Sequence, residues 1–73
     1  MIAFMLLVVA MGAEKDILAE IKKINNVTDA CITYGSWDLV VRIEADSSKV
    51  IDETITKIRQ IPKIEQSVTL IVM

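Results

Sequence analysis

The chain has 73 residues, of which 8 are basic and 10 are acidic, and its formal net charge is −2. A chain this short can build only one hydrophobic core, so residues 1–73 are predicted to form a single domain. Domains that bind nucleic acid usually carry a clustered basic surface, and this charge balance argues against direct nucleic-acid binding. The hydrophobic share of 53% is high for so small a chain, and it indicates that another subunit covers part of the surface.

The first segment, residues 2–11, is apolar throughout. A secretory signal would carry a basic residue before its apolar stretch, and none precedes Lys15. The stretch is also too short to cross a membrane, which takes roughly 20 apolar residues. We therefore expect a β-strand of the folded domain, and neither export nor membrane attachment. Cys31 is the one cysteine, which fits a reducing, cytoplasmic setting in which it is a small buried apolar residue.

Apolar residues at helical spacing predict two amphipathic helices. The first follows Gly12 and ends at Asn25–Asn26, because asparagine tolerates the left-handed conformation that closes many helices. The second begins after the cap candidates Asp46–Ser48 and ends before Pro62, which cannot donate a backbone hydrogen bond.

Alternating apolar and polar residues predict two further strands, "VTDACITY" and "LVVRIEA", joined by the turn Gly35–Asp38 as a hairpin. The chain closes with the β-branched segment "IEQSVTLIVM", which predicts a last strand. In that strand Ser67 and Thr69 lie on one face. Their hydroxyls either contact a ligand or form the solvated side of an edge strand.

The element order is thus βαββαβ, and an internal repeat supports it. The segments "IKKINNVTDACI", from Ile21, and "IRQIPKIEQSVT", from Ile58, each end a helix and enter a strand. Two such halves make a ferredoxin-like α+β sandwich, with an antiparallel four-stranded sheet and both helices on one face. The first and third strands are then central. Because the first strand is apolar on both faces, we expect a partner's sheet to cover the open face in a dimer.

The turn Gly35–Asp38, "GSWD", has two interpretations. In the structural one, Gly35 supplies a positive φ and Asp38 bonds to the backbone. In the functional one, exposed N–H groups and the Asp38 carboxylate bind a small zwitterion, with Trp37 as an apolar wall.

Enzymatic chemistry finds little support. The chain has no histidine, its single cysteine has no evident base, and neither a catalytic triad nor a phosphate-binding loop is present. The four methionines are interpreted as core or interface filler. We therefore predict no catalytic residue, no metal site and no cofactor.

The segment "VTDACITYGSWDLVVRIEA" on a βαββαβ frame resembles the effector-binding and oligomerisation domain of the Lrp/AsnC family, also called the RAM domain. The marker is a strand that ends in Gly-x-x-Asp before an apolar strand, matched here by Gly35 and Asp38 with the aromatic Trp37 between them. The resemblance extends over essentially the whole chain.

The resemblance implies a dimer whose two sheets face each other, with four dimers closing into an octameric ring. It also implies a small effector, typically an amino acid, that binds between dimers. By position, two groups of residues would form its site: Gly35, Ser36, Trp37 and Asp38 of the hairpin, and Thr69, Leu70 and Ile71 of the last strand.

Family members usually begin with a helix-turn-helix, whereas this sequence begins at the first strand, so it resembles a stand-alone form of the domain. The resulting hypothesis is an effector-binding module in transcriptional or metabolic regulation. One alternative is a structural subunit that co-assembles with full-length regulators and binds no ligand. Another is an ACT-like regulatory domain, whose subunits would pair side by side through a continuous sheet.

Overall fold

The computed structural model describes residues 1–73 and has the predicted element order. The elements are β1 (Ile2–Val9), α1 (Glu14–Lys22), β2 (Val27–Ile32), β3 (Leu39–Glu44), α2 (Ser48–Arg59) and β4 (Ile64–Ile71). The strands form one antiparallel sheet in the order β2-β3-β1-β4, so β1 and β3 are central. The predicted ferredoxin-like α+β fold is confirmed.

One face of the sheet packs against both helices. Along β1 every second residue is buried, and these residues lie opposite buried residues of β3, as in the pairs Met5–Val41 and Leu7–Leu39. The helices add their own apolar sides to the same cluster, chiefly Ile17 and Ile21 of α1 and Ile51, Ile55 and Ile58 of α2. A single core therefore lies between the sheet and the two helices.

The other face of the sheet, which we call the open face, is covered by nothing in a single chain. Its central residues come from β1 and are half-buried by their neighbours in the sheet: Ile2, Phe4, Leu6 and Val8. Leu6 lies between Val40 of β3 and Val68 of β4, and Phe4 lies beside Leu70. The unbroken apolar sequence of β1 is thus explained by two apolar faces, only one of which meets the core.

The helix ends depart from prediction by a few residues. The first helix ends at Lys22, before Asn25–Asn26, but Asn26 does take the left-handed conformation with φ 76°. The second helix is capped by Ser47, whose Oγ accepts the Val50 N–H at 3.3 Å, and it ends at Arg59, ahead of the proline. Neither helix has the length and apolar character required to cross a membrane.

The prediction that Cys31 is buried is wrong, because its side chain is exposed. β2 is an edge strand, and Cys31 pairs with Val40 on the open face while its neighbour Ala30 turns toward the core. A bulge between Val27 and Asp29 also interrupts the predicted alternation, so that Val27 joins the core side.

Candidate functional site

The turn between β2 and β3 takes the conformation that its glycine permits. Gly35 has φ 113°, a region that side-chain-bearing residues rarely adopt. A Cβ at this position would meet no atom within 4 Å, so the backbone conformation, and not crowding, requires glycine. Ser36 is exposed and Trp37 is half-buried. The N–H groups of these three residues donate no hydrogen bond within the chain.

Asp38 fastens this turn to the end of β1. Its Oδ2 accepts the Val9 N–H at 3.0 Å, and its own N–H donates to the Leu7 carbonyl at 2.8 Å. Through these two bonds Asp38 extends the contact between β1 and the chain before β3 past the last regular pair, Leu7–Leu39. The second carboxylate oxygen has no partner in the chain, and Asp38 is only half-buried. One oxygen of the Asp38 carboxylate thus holds the turn against β1, while the other is partly exposed and free to accept a further hydrogen bond.

Thr33 closes the base of the hairpin. Its hydroxyl donates to the Trp37 carbonyl at 2.7 Å, and its N–H donates to the Asp38 carbonyl at 2.9 Å. These bonds tie together the two ends of the turn and restrict the position of Asp38.

A cavity of about 370 Å³, which we call the hairpin cavity, opens beside this turn. Its walls are the first turn of α1, the end of β2 and the residue that precedes β3. The lining residues are Glu14, Lys15, Ile32, Thr33, Tyr34 and Asp38. A volume of this order suits a small molecule, and the lining offers both charges together with apolar surface.

Of these lining residues, sequence reasoning identified only Asp38. The others come from segments separated along the chain, and no local motif marks them. One signal was available: α1 starts where β1 ends, so its first turn must lie at the same end of the sheet as the β2–β3 turn. A larger depression, about 680 Å³, follows the solvent side of α2 between Ser48 and Gln60. Its lining contains no hydrophobic residue, and it lies on the helix surface that faces away from the sheet.

The second predicted group lies elsewhere in the chain. Thr69, Leu70 and Ile71 pair with Met5, Phe4 and Ala3, on the edge of β1 opposite to β3. The turn, by contrast, meets β1 at Leu7 and Val9. One chain therefore does not bring the two groups together.

The side chains of that group also divide between the two faces of the sheet. Thr69 and Ile71 are on the helix side, whereas Leu70 is on the open face and is 51% exposed. The hydroxyl oxygen of Thr69 is buried and has no hydrogen-bond partner. Ser67 lies on the same face as Thr69, as the alternation predicts, and it is half-buried on this edge strand.

The Lrp/AsnC ligand binding domain matches residues 2–73. The chain belongs to this family. The resemblance carried by Gly35, Trp37 and Asp38 is therefore confirmed at the level of the family.

Individual proteins and solved structures show how far the likeness extends. The crystal structure of FFRP-DM1 superposes with a TM-score of 0.93 at 37% identity, over 99% of this chain and 97% of that one. The HTH-type transcriptional regulator FL11 of Pyrococcus horikoshii is 29% identical over 73 residues, and the chain spans about half (48%) of its length. The NMB0573/L-Met complex of Neisseria meningitidis has a TM-score of 0.84 at 13% identity, which shows the fold alone.

Proposed function

We propose that the chain is an amino-acid-binding regulatory module, with Asp38 as the group that binds the ligand's ammonium. The supporting observation is the free carboxylate oxygen of Asp38, held beside a cavity while the other oxygen accepts the Val9 N–H. A carboxylate fixed in this way needs little reordering to accept a charged donor, and such bonds are among the stronger ones in proteins. The N–H groups of Gly35, Ser36 and Trp37 are also unpaired within the chain, but these three residues do not line the cavity.

The module is proposed to act as a dimer that buries the open face. Phe4, Leu6 and Val68 present adjacent apolar side chains there, and a sheet of this kind is stable when it packs against another apolar layer. A second copy supplies such a layer with a matching outline, because two-fold pairing brings identical patches together. Four dimers closing into a ring would complete the proposed assembly.

In the proposed ring, the second predicted group would contribute to the site of a neighbouring protomer. Because Thr69, Leu70 and Ile71 lie across β1 from the turn, they reach a ligand at Asp38 only from another protomer. The structural neighbour from Neisseria meningitidis is a complex with L-Met, a ligand of the class proposed here.

A structural subunit without a ligand is the second candidate. The observation that favours it is the Asp38–Val9 hydrogen bond, because this bond gives Asp38 a role in the fold that requires no ligand. Such a subunit would mix with full-length regulators and alter their assembly.

A thermal-shift screen against the twenty standard amino acids separates these candidates. The variant Asp38→Asn retains a carbonyl oxygen for the Val9 N–H and removes only the charge, whereas Asp38→Ala removes both and destabilises the apo protein by about 1–3 kcal/mol. A ligand at a hundred times its Kd should stabilise the wild type by about 2.7 kcal/mol. We expect Asp38→Asn to keep the apo melting temperature and to lose this gain.

The control is Glu53→Gln, an equal change of charge on the exposed side of α2. It should respond to ligand as the wild type does. If no amino acid raises the melting temperature of the wild type, the structural-subunit function replaces the sensor. If Asp38→Asn responds like the control, a ligand binds away from the turn.

A further inference from the structure

The open face, apolar along β1, carries a group of charged side chains where β2 pairs with β3. Arg42 lies on this face, because it pairs with Phe4 of β1. Asp29 pairs with Arg42 from β2, and Glu44 follows two residues later on β3, so both acidic residues share the face. We call Asp29, Arg42 and Glu44 the charged corner. It contains both signs of charge on an otherwise mainly apolar surface.

A bulge in β2 helps to assemble the charged corner. The register between β2 and β3 shifts between Val27 and Asp29, and this places Thr28 as well as Asp29 beside Arg42. Nη1 of Arg42 donates to the Thr28 hydroxyl at 2.7 Å, and that hydroxyl donates to the Arg42 carbonyl at 3.3 Å. Bulges often redirect side chains in this way. The guanidinium is thereby held close to the sheet.

The charged corner has hydrogen-bonding capacity that one chain does not use. A guanidinium has five N–H donors, and here only Nη1 has partners, namely Thr28 and a Glu44 oxygen at 3.5 Å. One oxygen of Asp29 accepts the Ala30 N–H at 2.9 Å. The Glu44 side chain has no other partner and is 52% exposed. Glu44 is therefore the acidic residue with more freedom to bind a second cation.

Covering the open face changes the surroundings of Arg42. Its side chain is already only 32% exposed and lies beside Phe4. Taking a guanidinium further out of water is unfavourable unless carboxylates satisfy its donors. An apolar layer supplies no acceptor, whereas a second copy of the chain brings its own Glu44. Two-fold pairing then repeats the contact, because each residue that meets its counterpart is met in return.

We infer that Arg42 and Glu44 select the partner of the open face, with Arg42 of each copy paired to Glu44 of the other. A two-fold axis along the boundary between β1 and β3 keeps Leu6 inside the interface and leaves both charged residues close to the axis. The face therefore fits a second copy of this chain and disfavours an apolar sheet that lacks the matching charges. The inference rests on the dimer of the proposed function and deepens it, and it requires no ligand.

Charge reversal at the two positions tests the inference. Arg42→Glu places two acidic residues at positions 42 and 44, and Glu44→Arg places two basic ones there. In a dimer of either variant, like charges face each other, so we expect dimerisation about tenfold or more weaker than in the wild type. An equimolar mixture brings opposite charges together at both contacts and should form heterodimers in excess of a random mixture. Sedimentation equilibrium measures the affinities, and native mass spectrometry separates the heterodimer by mass.

The matched controls are Lys57→Glu and Glu53→Arg, the same changes of charge on the exposed side of α2. Each should dimerise as the wild type does, and their mixture should show no preference for the heterodimer. Circular dichroism checks that every variant is folded. If a reversal variant does not fold, Arg42→Gln removes the charge without adding a new one and should still weaken dimerisation.

The outcomes separate this inference from the dimer on which it rests. Reversal variants that dimerise as tightly as the wild type, or a mixture without excess heterodimer, overturn the role of Arg42 and Glu44 and leave the dimer standing. A monomeric wild type overturns the dimer and this inference together, and the amino-acid screen then decides the sensor function separately.

Discussion

Asp38 lies where the β2–β3 turn meets the end of β1, and its bond to the Val9 N–H joins residues 29 positions apart. Sequence reasoning identified Asp38 as a turn residue and a ligand anchor. It could not identify Val9 as the partner, because that contact exists only once β1 and β3 are paired. The fixed carboxylate position is therefore a property of the tertiary structure, and Asp38→Asn is the substitution that tests its charge separately from its bond.

Thr69 provides a prediction at the same scale. Its buried hydroxyl oxygen has no partner, and valine has the same branched shape without the polar group. We expect Thr69→Val to raise the free energy of unfolding by about 1 kcal/mol, because it removes an unsatisfied buried polar atom. Urea denaturation measures the change.

The control for Thr69 is Thr56→Val on α2, where the exposed hydroxyl donates to the Asp52 carbonyl at 2.9 Å. That substitution should bring no gain in stability. A loss of stability in Thr69→Val would show that the hydroxyl is satisfied in the assembled protein and would count against this explanation.

At the scale of elements, the two halves of the chain repeat a strained position. Asn26 and Lys63 occupy equivalent places in the repeat, and both have φ 76°. A left-handed conformation costs an ordinary residue about 1–2 kcal/mol, and asparagine less than lysine. Each residue lies directly before a strand, in the connection from the preceding helix. The left-handed conformation is therefore part of the turn that reverses the chain direction between helix and strand.

Glycine at these places should relieve the strain. We expect Lys63→Gly to raise the free energy of unfolding by about 1 kcal/mol and Asn26→Gly to raise it less, as measured by urea denaturation. Lys57→Gly, within α2, is the comparison and should lower stability by about 1 kcal/mol. If Lys63→Gly lowers the free energy of unfolding, the Lys63 side chain stabilises the fold by more than its left-handed backbone conformation costs.

The same elements show how much the sequence could predict. Apolar periodicity identified both helices and the two middle strands, whereas the first strand was predicted from its unbroken apolar run and the last from its β-branched residues. The left-handed Asn26 followed from the preference of asparagine, whereas nothing intrinsic to lysine marks Lys63. Exposure of Cys31 depends on which strands lie at the sheet edges, and the cavity around Lys15 depends on three segments meeting. Periodicity contains neither kind of information.

At the scale of the whole molecule, the apolar open face determines the expected assembly. Leu6 lies at its centre, between Val40 and Val68. A lysine at this position leaves the core on the helix side intact but places a charge in the dimer interface. Because burying an unpaired charge costs several kcal/mol, we expect Leu6→Lys to weaken dimerisation by about a hundredfold or more.

Sedimentation equilibrium, with circular dichroism as a check on folding, measures this effect. Thr56→Lys, on the exposed side of α2, is the matched control and should remain dimeric. A folded Leu6→Lys protein that is still dimeric would place the interface on another surface, and a sheet continued through the edges of β2 or β4 would then be the first to examine.

Native mass spectrometry of the wild-type protein, with and without an amino acid, tests the central claim most directly. It weighs the assembly and counts the bound ligands in one experiment. The account predicts assemblies with an even number of chains, dimers or rings of dimers, that take up as many as one amino acid per chain. A monomer, or an intact dimer that takes up no amino acid at saturating concentration, would contradict the account of an effector-binding regulatory module.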